Sequence, residues 1–229
     1  MSPVPALVAT SLAGALTLAV GLWAMAAESR PLELGYTSLD RVVAMSDPAT
    51  LPGVSVLTQT KGLLDCANAI NARNSLMARY LDPAQREAIA PKCLAMADFV
   101  LSGSPSHSYA WFVGALAAAA EEDWPEMSRR LALSERTGPS EQWIGEQRVQ
   151  LAEDNYAVLD EAARRTNDAD LDMLVRSGRG ISRIALRYVN DVSFRERITA
   201  IVERLPAADQ GRFVTSVRRA ARELLDPNA

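Results

Sequence analysis

One histidine and two cysteines in 229 residues leave almost nothing from which to build a metal centre of the Cys/His kind. The chain also lacks a glycine-rich phosphate loop, an H-E-x-x-H and a G-x-S-x-G, and Gly178-Arg179-Gly180 is too short to stand for any of them. No stretch alternates apolar and polar residues over the length of a strand, so the folded part is expected to be all-α. Positive charge is scarce where a nucleic-acid protein would need it. Residues 28–172 hold 13 Lys+Arg against 22 Asp+Glu, a body at −9 that would repel phosphate. Lysine is nearly missing, with 2 against 22 arginines, a bias that points to a GC-rich bacterial genome. The expectation is therefore no metal, no cofactor and no nucleic-acid partner.

What remains is a globular composition, 48% hydrophobic and 23% charged. The net charge of −4 hides an asymmetry, because residues 176–224 carry 11 Arg against 5 acids, or +6. The only long apolar run is residues 5–27, which contain no charge. As a helix at ~1.5 Å per residue it reaches about 34 Å, enough for a hydrocarbon core of ~30 Å. Trp23 near one end suits an interfacial position. A cleavable secretory signal is the rival reading, since Ala24-Met25-Ala26 has the A-x-A form. The length of the run and the lack of any Lys or Arg before it favour a retained anchor.

Residues 28–53 hold Pro31, Gly35, Pro48, Pro52 and Gly53 and read as a spacer broken by turns. Thr37-Ser38-Leu39-Asp40 is the one capping signal inside it. Residues 54–81 show helical recurrence at Leu57, Leu64, Ala67, Ile70 and Leu76 or Met77. Asp82-Pro83 supplies an N-cap and first helical position for a helix to about Ser102, which Pro91 should kink or split. Cys66 and Cys93 fall on the two arms of this hairpin. A disulfide there would add about 3 kcal/mol and require an oxidising compartment. Two buried thiols packed as small apolar residues are the alternative.

Residues 104–140 carry the clearest punctuation. Ser104-Pro105 reads as a helix start, Asp123-Trp124-Pro125-Glu126 as a capping box opening a second helix, and Gly138-Pro139 as a stop and a new start. Pro105 and Pro139 lie 34 positions apart. With Trp111 in the first motif position, Gly114-Ala115 next, Met127 and Leu131 in the second helix and Pro139 at the end, this unit resembles a tetratricopeptide repeat. Ala118 stands where that family has Tyr. One unit back, Cys93, Ala97, Val100 and Pro105 fit a second helix. One unit forward, Trp143 is two positions early and Met173 replaces Pro. The resemblance, degenerate, spans residues 70–166. It implies an array of α-α hairpins over residues 54–168, and a concave groove lined by Tyr109, Phe112 and Leu116 that receives a protein partner.

Residues 140–151 and 154–165 are expected as a further helix pair, with Asn167 and Asp168 breaking the chain. Residues 169–229 then form C-terminal helices at about 170–188, 194–205 and 206–225. On the first, Arg176, Arg179, Arg183 and Arg187 recur at three- and four-residue steps. Such a stripe suits an anionic glycan, a lipid headgroup or an acidic partner, because guanidinium binds carboxylate and phosphate bidentately. Its plain alternative is pairing with the acidic body of the same chain. His107 is expected as a surface or capping residue, and Glu121, Glu122, Asp123 and Glu126 as acids placed by the helix dipole.

Taken together, the sequence reads as a bacterial inner-membrane protein with a single anchor (residues 1–27), a linker (28–53) and an all-α periplasmic domain. Its expected role is non-catalytic, as an adaptor binding another envelope protein. Anchored helical-repeat proteins of this type often accompany machinery for surface-polysaccharide assembly or export, an analogy of architecture alone. Direct binding of an anionic glycan or lipid through the Arg stripe is the second reading.

Overall fold

A computed structural model of the chain describes residues 4–29, 35, 37–50, 52–73 and 75–225, with side chains from Val8 onward. Those residues form helices and no strands. Residues 30–34, 36 and 51, part of the expected linker, lie outside the described residues. Contacts divide the chain into two compact units, residues 1–100 and 101–229. The boundary falls near the end of a helix.

The first unit opens with α1 (Val4–Ser29), whose apolar side chains from Val8 to Met25 are covered by nothing in the described chain. It is long and apolar enough to cross a membrane. The short helix α2 (Ser38–Ala44) starts where the sequence places its capping box. Asp40 N–H donates to the Thr37 hydroxyl and Thr37 N–H donates to the Asp40 carboxylate, each at 3.1 Å. The spacer reading does not hold for this segment: Val42 and Met45 are buried, and α2 packs on α3 (Val56–Ala72).

The expected helix 54–81 is broken. It ends at Ala72 and is followed by a short 3₁₀ turn at Leu76–Tyr80. The buried face of α3 runs through Leu63, Cys66, Ala67 and Ile70, while Leu57 and Leu64 are exposed. Next, α4 (Pro83–Gly103) begins on a reciprocal box between Asp82 and Gln85 and continues through Pro91. Cys66 of α3 and Cys93 of α4 form a disulfide with Cα atoms 5.4 Å apart. The Sγ of Cys66 also lies against the Met45 and Met96 sulfurs. One buried cluster thus ties α2, α3 and α4 together.

In the second unit, α5 (Ser108–Ala120) and α6 (Trp124–Thr137) form an antiparallel pair. Ser134 near the end of α6 donates to the Ser108 carbonyl at the start of α5, and Gly114 in mid-α5 faces Arg130 in mid-α6. The first helix starts three residues after the Ser104-Pro105 signal. His107 is its N-cap, with Nδ1 accepting from Ala110 N–H at 3.2 Å. Residues 108–120 carry no charge and are buried on most sides, as a helix apolar all round must be. Then α7 (Gln142–Asp154), like α5, has 13 residues and starts 34 positions after it.

The helix α8 (Glu161–Arg176) runs straight through Asn167 and Asp168. The expected break is absent because Asn167 and Asp170 face inward and pair with Glu153 and Arg148 of α7. The true break lies at residues 177–179, where the Ser177 hydroxyl donates to the Leu174 carbonyl and accepts from Gly180 N–H. Three helices close the unit: α9 (Gly180–Asn190), α10 (Val192–Val202) and α11 (Ala207–Leu225). Leu171, Leu174, Ile184, Phe194, Ile198 and Phe213 are central to their shared core.

Candidate functional site

The expected groove residues are not on a groove. Tyr109 is 1% exposed and Phe112 3%, and Leu116 is half-buried. The Tyr109 ring lies 5.7 Å from Phe112 and 4.7 Å from Trp143 of α7 (centroid to centroid), a packed aromatic cluster inside the unit. The physical reason is the charge-free sequence of α5, which gives it no solvated face. Trp111 is the partly exposed aromatic of this helix. Its indole N–H donates to the Pro105 carbonyl, and the Arg129 and Arg130 guanidinium groups lie 5.6 and 5.7 Å from its ring.

The four arginines do not form one stripe. Arg176 ends α8, Arg179 precedes α9, and Arg183 and Arg187 lie on α9. Arg176 pairs with Asp172 at 2.9 Å, Arg183 with Glu146 at 3.0 Å, and Arg187 with Asp154 at 2.9 Å and Asp191 at 3.2 Å. Arg179 is exposed. The acidic residues of the same unit therefore take up much of the positive charge that the sequence offers to a ligand.

The Arg183–Glu146 and Arg187–Asp154 pairs edge a depression between α7 and α9 of about 290 Å³. Its floor is the buried Val149, Leu174 and Ile184, and Glu146, Asp154, Arg183, Leu186 and Arg187 line it above. Apolar floor and charged rim are what a peptide or small amphipathic ligand needs for burial and orientation. A second depression of about 420 Å³ is lined by Ser182, Arg183, Leu186, Ser216, Arg219 and Glu223, from α9 and α11.

Behind the first depression, α7 is held by buried ions. Arg148 is 2% exposed and donates bidentately to Asp170 of α8, Nε at 2.7 Å and Nη2 at 2.6 Å. Its Nη2 also reaches the Gly138 carbonyl at 3.3 Å. Burial raises the Asp170 carboxyl above its usual range, with the Arg148 hydrogen bonds pulling the other way. Glu153 accepts from Asn167 of α8 at 2.7 Å and from Arg197 of α10. Arg197 also lies over the Tyr156 ring at 4.0 Å. Sequence reading missed both clusters, although Arg148, Asp170 and Asn167 each fall within otherwise apolar helical patterns.

His107 Nδ1 caps α5, while the Ser108 hydroxyl donates to Glu141 at 2.5 Å. Partial burial lowers the His107 pKa. Asp123 caps α6 by accepting from Glu126 N–H. The reciprocal half of the expected box is not made, because Glu126 turns to Arg129 and Arg130 at 2.6–2.7 Å. Those arginines, Arg129 first, hold the Glu126 pKa down to about 2. Among the described residues no group of three or more His, Cys, Asp or Glu could hold a metal ion. Comparison with protein-family models, curated proteins and solved structures finds no match to this chain.

Proposed function

We propose that the chain is a membrane-anchored, non-catalytic adaptor of the bacterial envelope. In this reading α1 holds it in the inner membrane, and the folded part lies in the periplasm and binds another envelope protein. The uncovered apolar helix and the disulfide, both in the first unit, support the location. The equal lengths of α5 and α7 and their 34-residue offset support a degenerate tetratricopeptide-like arrangement of α5–α8. The observation that carries the adaptor reading is the α7–α9 depression with its apolar floor and paired-charge rim. Surface-polysaccharide assembly or export is the class of machinery to which such an adaptor belongs.

A second reading, direct binding of an anionic glycan or lipid headgroup, is favoured by the depression that Arg183 and Arg219 share with Ser182 and Ser216. The two separate by in-cell photo-crosslinking from Gln150, which lines the first depression, and from position 219, which lines the second. A probe at Phe112 is the buried control. A discrete protein adduct from Gln150 supports the adaptor. Glycan or lipid from position 219, with binding that weakens with salt, replaces it by the second reading. Silence at both positions overturns the two.

A further inference from the structure

Glu28 stands in the last turn of α1, where a carboxylate has the wrong sign for that helix's own dipole. Its partner is the beginning of α3. One carboxylate oxygen accepts from Val54 N–H at 2.9 Å and from Ser55 N–H. The other accepts from the Ser55 hydroxyl at 2.9 Å and the Thr58 hydroxyl at 2.7 Å. These groups belong to a helix N-terminus, which favours a negative charge and has amides to spare. Gly53 leaves room for the arrangement, since a Cβ there would lie 2.0 Å from the Thr58 hydroxyl oxygen. The sequence reading had Glu28 opening a spacer. It is instead a clasp between the apolar helix and the folded unit.

The clasp sets three large apolar side chains beside the end of α1. Val54 is 52% exposed, Val56 66% and Leu57 79%. They are consecutive or nearly so around the first turn of α3. Farther along the same helix Leu64 is 41% exposed, and the exposed positions after it are polar, Asn68 and Asn71, the latter about 21 Å beyond Leu57 at ~1.5 Å per residue. Trp23, one to two turns before Glu28, is exposed as well, and an indole there suits the bilayer interface. Where α1 leaves the hydrocarbon, the Val54–Leu57 turn is tied to it by three hydrogen bonds, and Thr58 adds a fourth.

Resting on the reading of α1 as a retained span, we propose that residues 54–57 form a membrane-surface contact. Val54, Val56 and Leu57 insert into the interfacial region of the bilayer, and Glu28 fixes their depth. The occupant of this apolar turn is lipid, because the turn is continuous with the end of the span. The first unit is thereby seated on the membrane, with α3 leading away from it, and the anchor is not a loose tether.

The test uses the full chain in vesicles of phosphatidylethanolamine and phosphatidylglycerol, with the native disulfide left oxidised. Nitroxide labels are placed singly at Leu16→Cys, Leu57→Cys and Asn71→Cys. Accessibility to oxygen and to a water-soluble nickel chelate is then compared. The expected result is a lipid signature at 16, a shallower lipid signature at 57 and a water signature at 71. Glu28→Ala, or Thr58→Val as a milder variant, is expected to move 57 towards the water signature while 16 stays in lipid. A water signature at 57 with 16 in lipid overturns the surface contact and leaves the anchor standing. Water signatures at both overturn the anchor and the contact together. A lipid signature at 57 that survives both clasp variants overturns the role given to Glu28.

Discussion

At Glu122 the backbone turns left-handed, φ 59°, in a residue that is not glycine. The turn ends α5: Glu122 N–H donates to the Ala119 carbonyl and Asp123 N–H to the Ala118 carbonyl. The acidic triplet is therefore a helix stop followed by an N-cap, and its middle residue carries a steric cost of ~1–2 kcal/mol that glycine would not. Glu122→Gly is expected to stabilise the second unit by about 1 kcal/mol, read as a higher urea midpoint. His107 works at the other end of the same helix. Its Nδ1 must keep a lone pair to accept from Ala110 N–H, and its pKa is lowered by partial burial against the pull of Glu141. The unfolded chain then takes up the proton first as pH falls. Stability is full above the ordinary histidine pKa of ~6.5, declines as pH drops below it, and levels off below the depressed native value. His107→Asn keeps an N-cap acceptor and removes the titration. Its melting temperature is expected to fall less than that of the wild type between about pH 7.5 and about pH 5. Equal declines would mean that other groups carry the pH dependence.

Among the elements, α7 and α8 meet through charge where sequence reading expected a chain break. Removing either Arg148 or Asp170 leaves the other ion buried without its partner, at a cost of about 3–5 kcal/mol. Arg148→Met and Asp170→Leu together are expected to cost less than either change alone, as measured by a double-mutant cycle in urea. Additive losses would show that the two side chains act separately. The same pair explains what the sequence could show and what it could not. Helix starts with local chemistry were readable: Thr37 with Asp40, Asp82 before Pro83, Asp123 before Glu126, and the stop at Gly138. Faces were not. In α3 apolar residues occupy more than one side, so Leu57 and Leu64 looked as inward as Ala67 and Ile70 until α2 and α4 were in place to choose. Asn167 looks like a helix breaker only while its partner on α7, Glu153, is out of sight. The groove residues failed for a reason visible beforehand, since an uncharged α5 leaves no side for a groove. The α7–α9 depression was out of reach because its walls join across the intervening α8.

For the whole molecule, the disulfide and the uncovered apolar helix make a joint prediction about location. Cys66 and Cys93 close a loop of 27 residues, worth about 3 kcal/mol to the first unit if the chain-entropy account holds. A reducing cytoplasm would forfeit that stabilisation. In cells of a bacterial host, the chain is expected to remain with membranes after alkaline washing and to keep the mass of an uncleaved chain. Its two thiols are expected to resist maleimide until a reductant is added. Reduction should raise hydrogen exchange in α2, α3 and α4, since their shared cluster is built on the bridge. Free thiols in a membrane-bound chain would place the folded part on the cytoplasmic side and withdraw the periplasmic reading. A bonded but washable chain, shortened at its start, would make the apolar run a signal sequence. Cleavage after Ala24-Met25-Ala26 would leave Glu28 on the mature chain and keep its hydrogen bonds to α3, so the mass of the chain and its resistance to washing, not the clasp, separate the two outcomes.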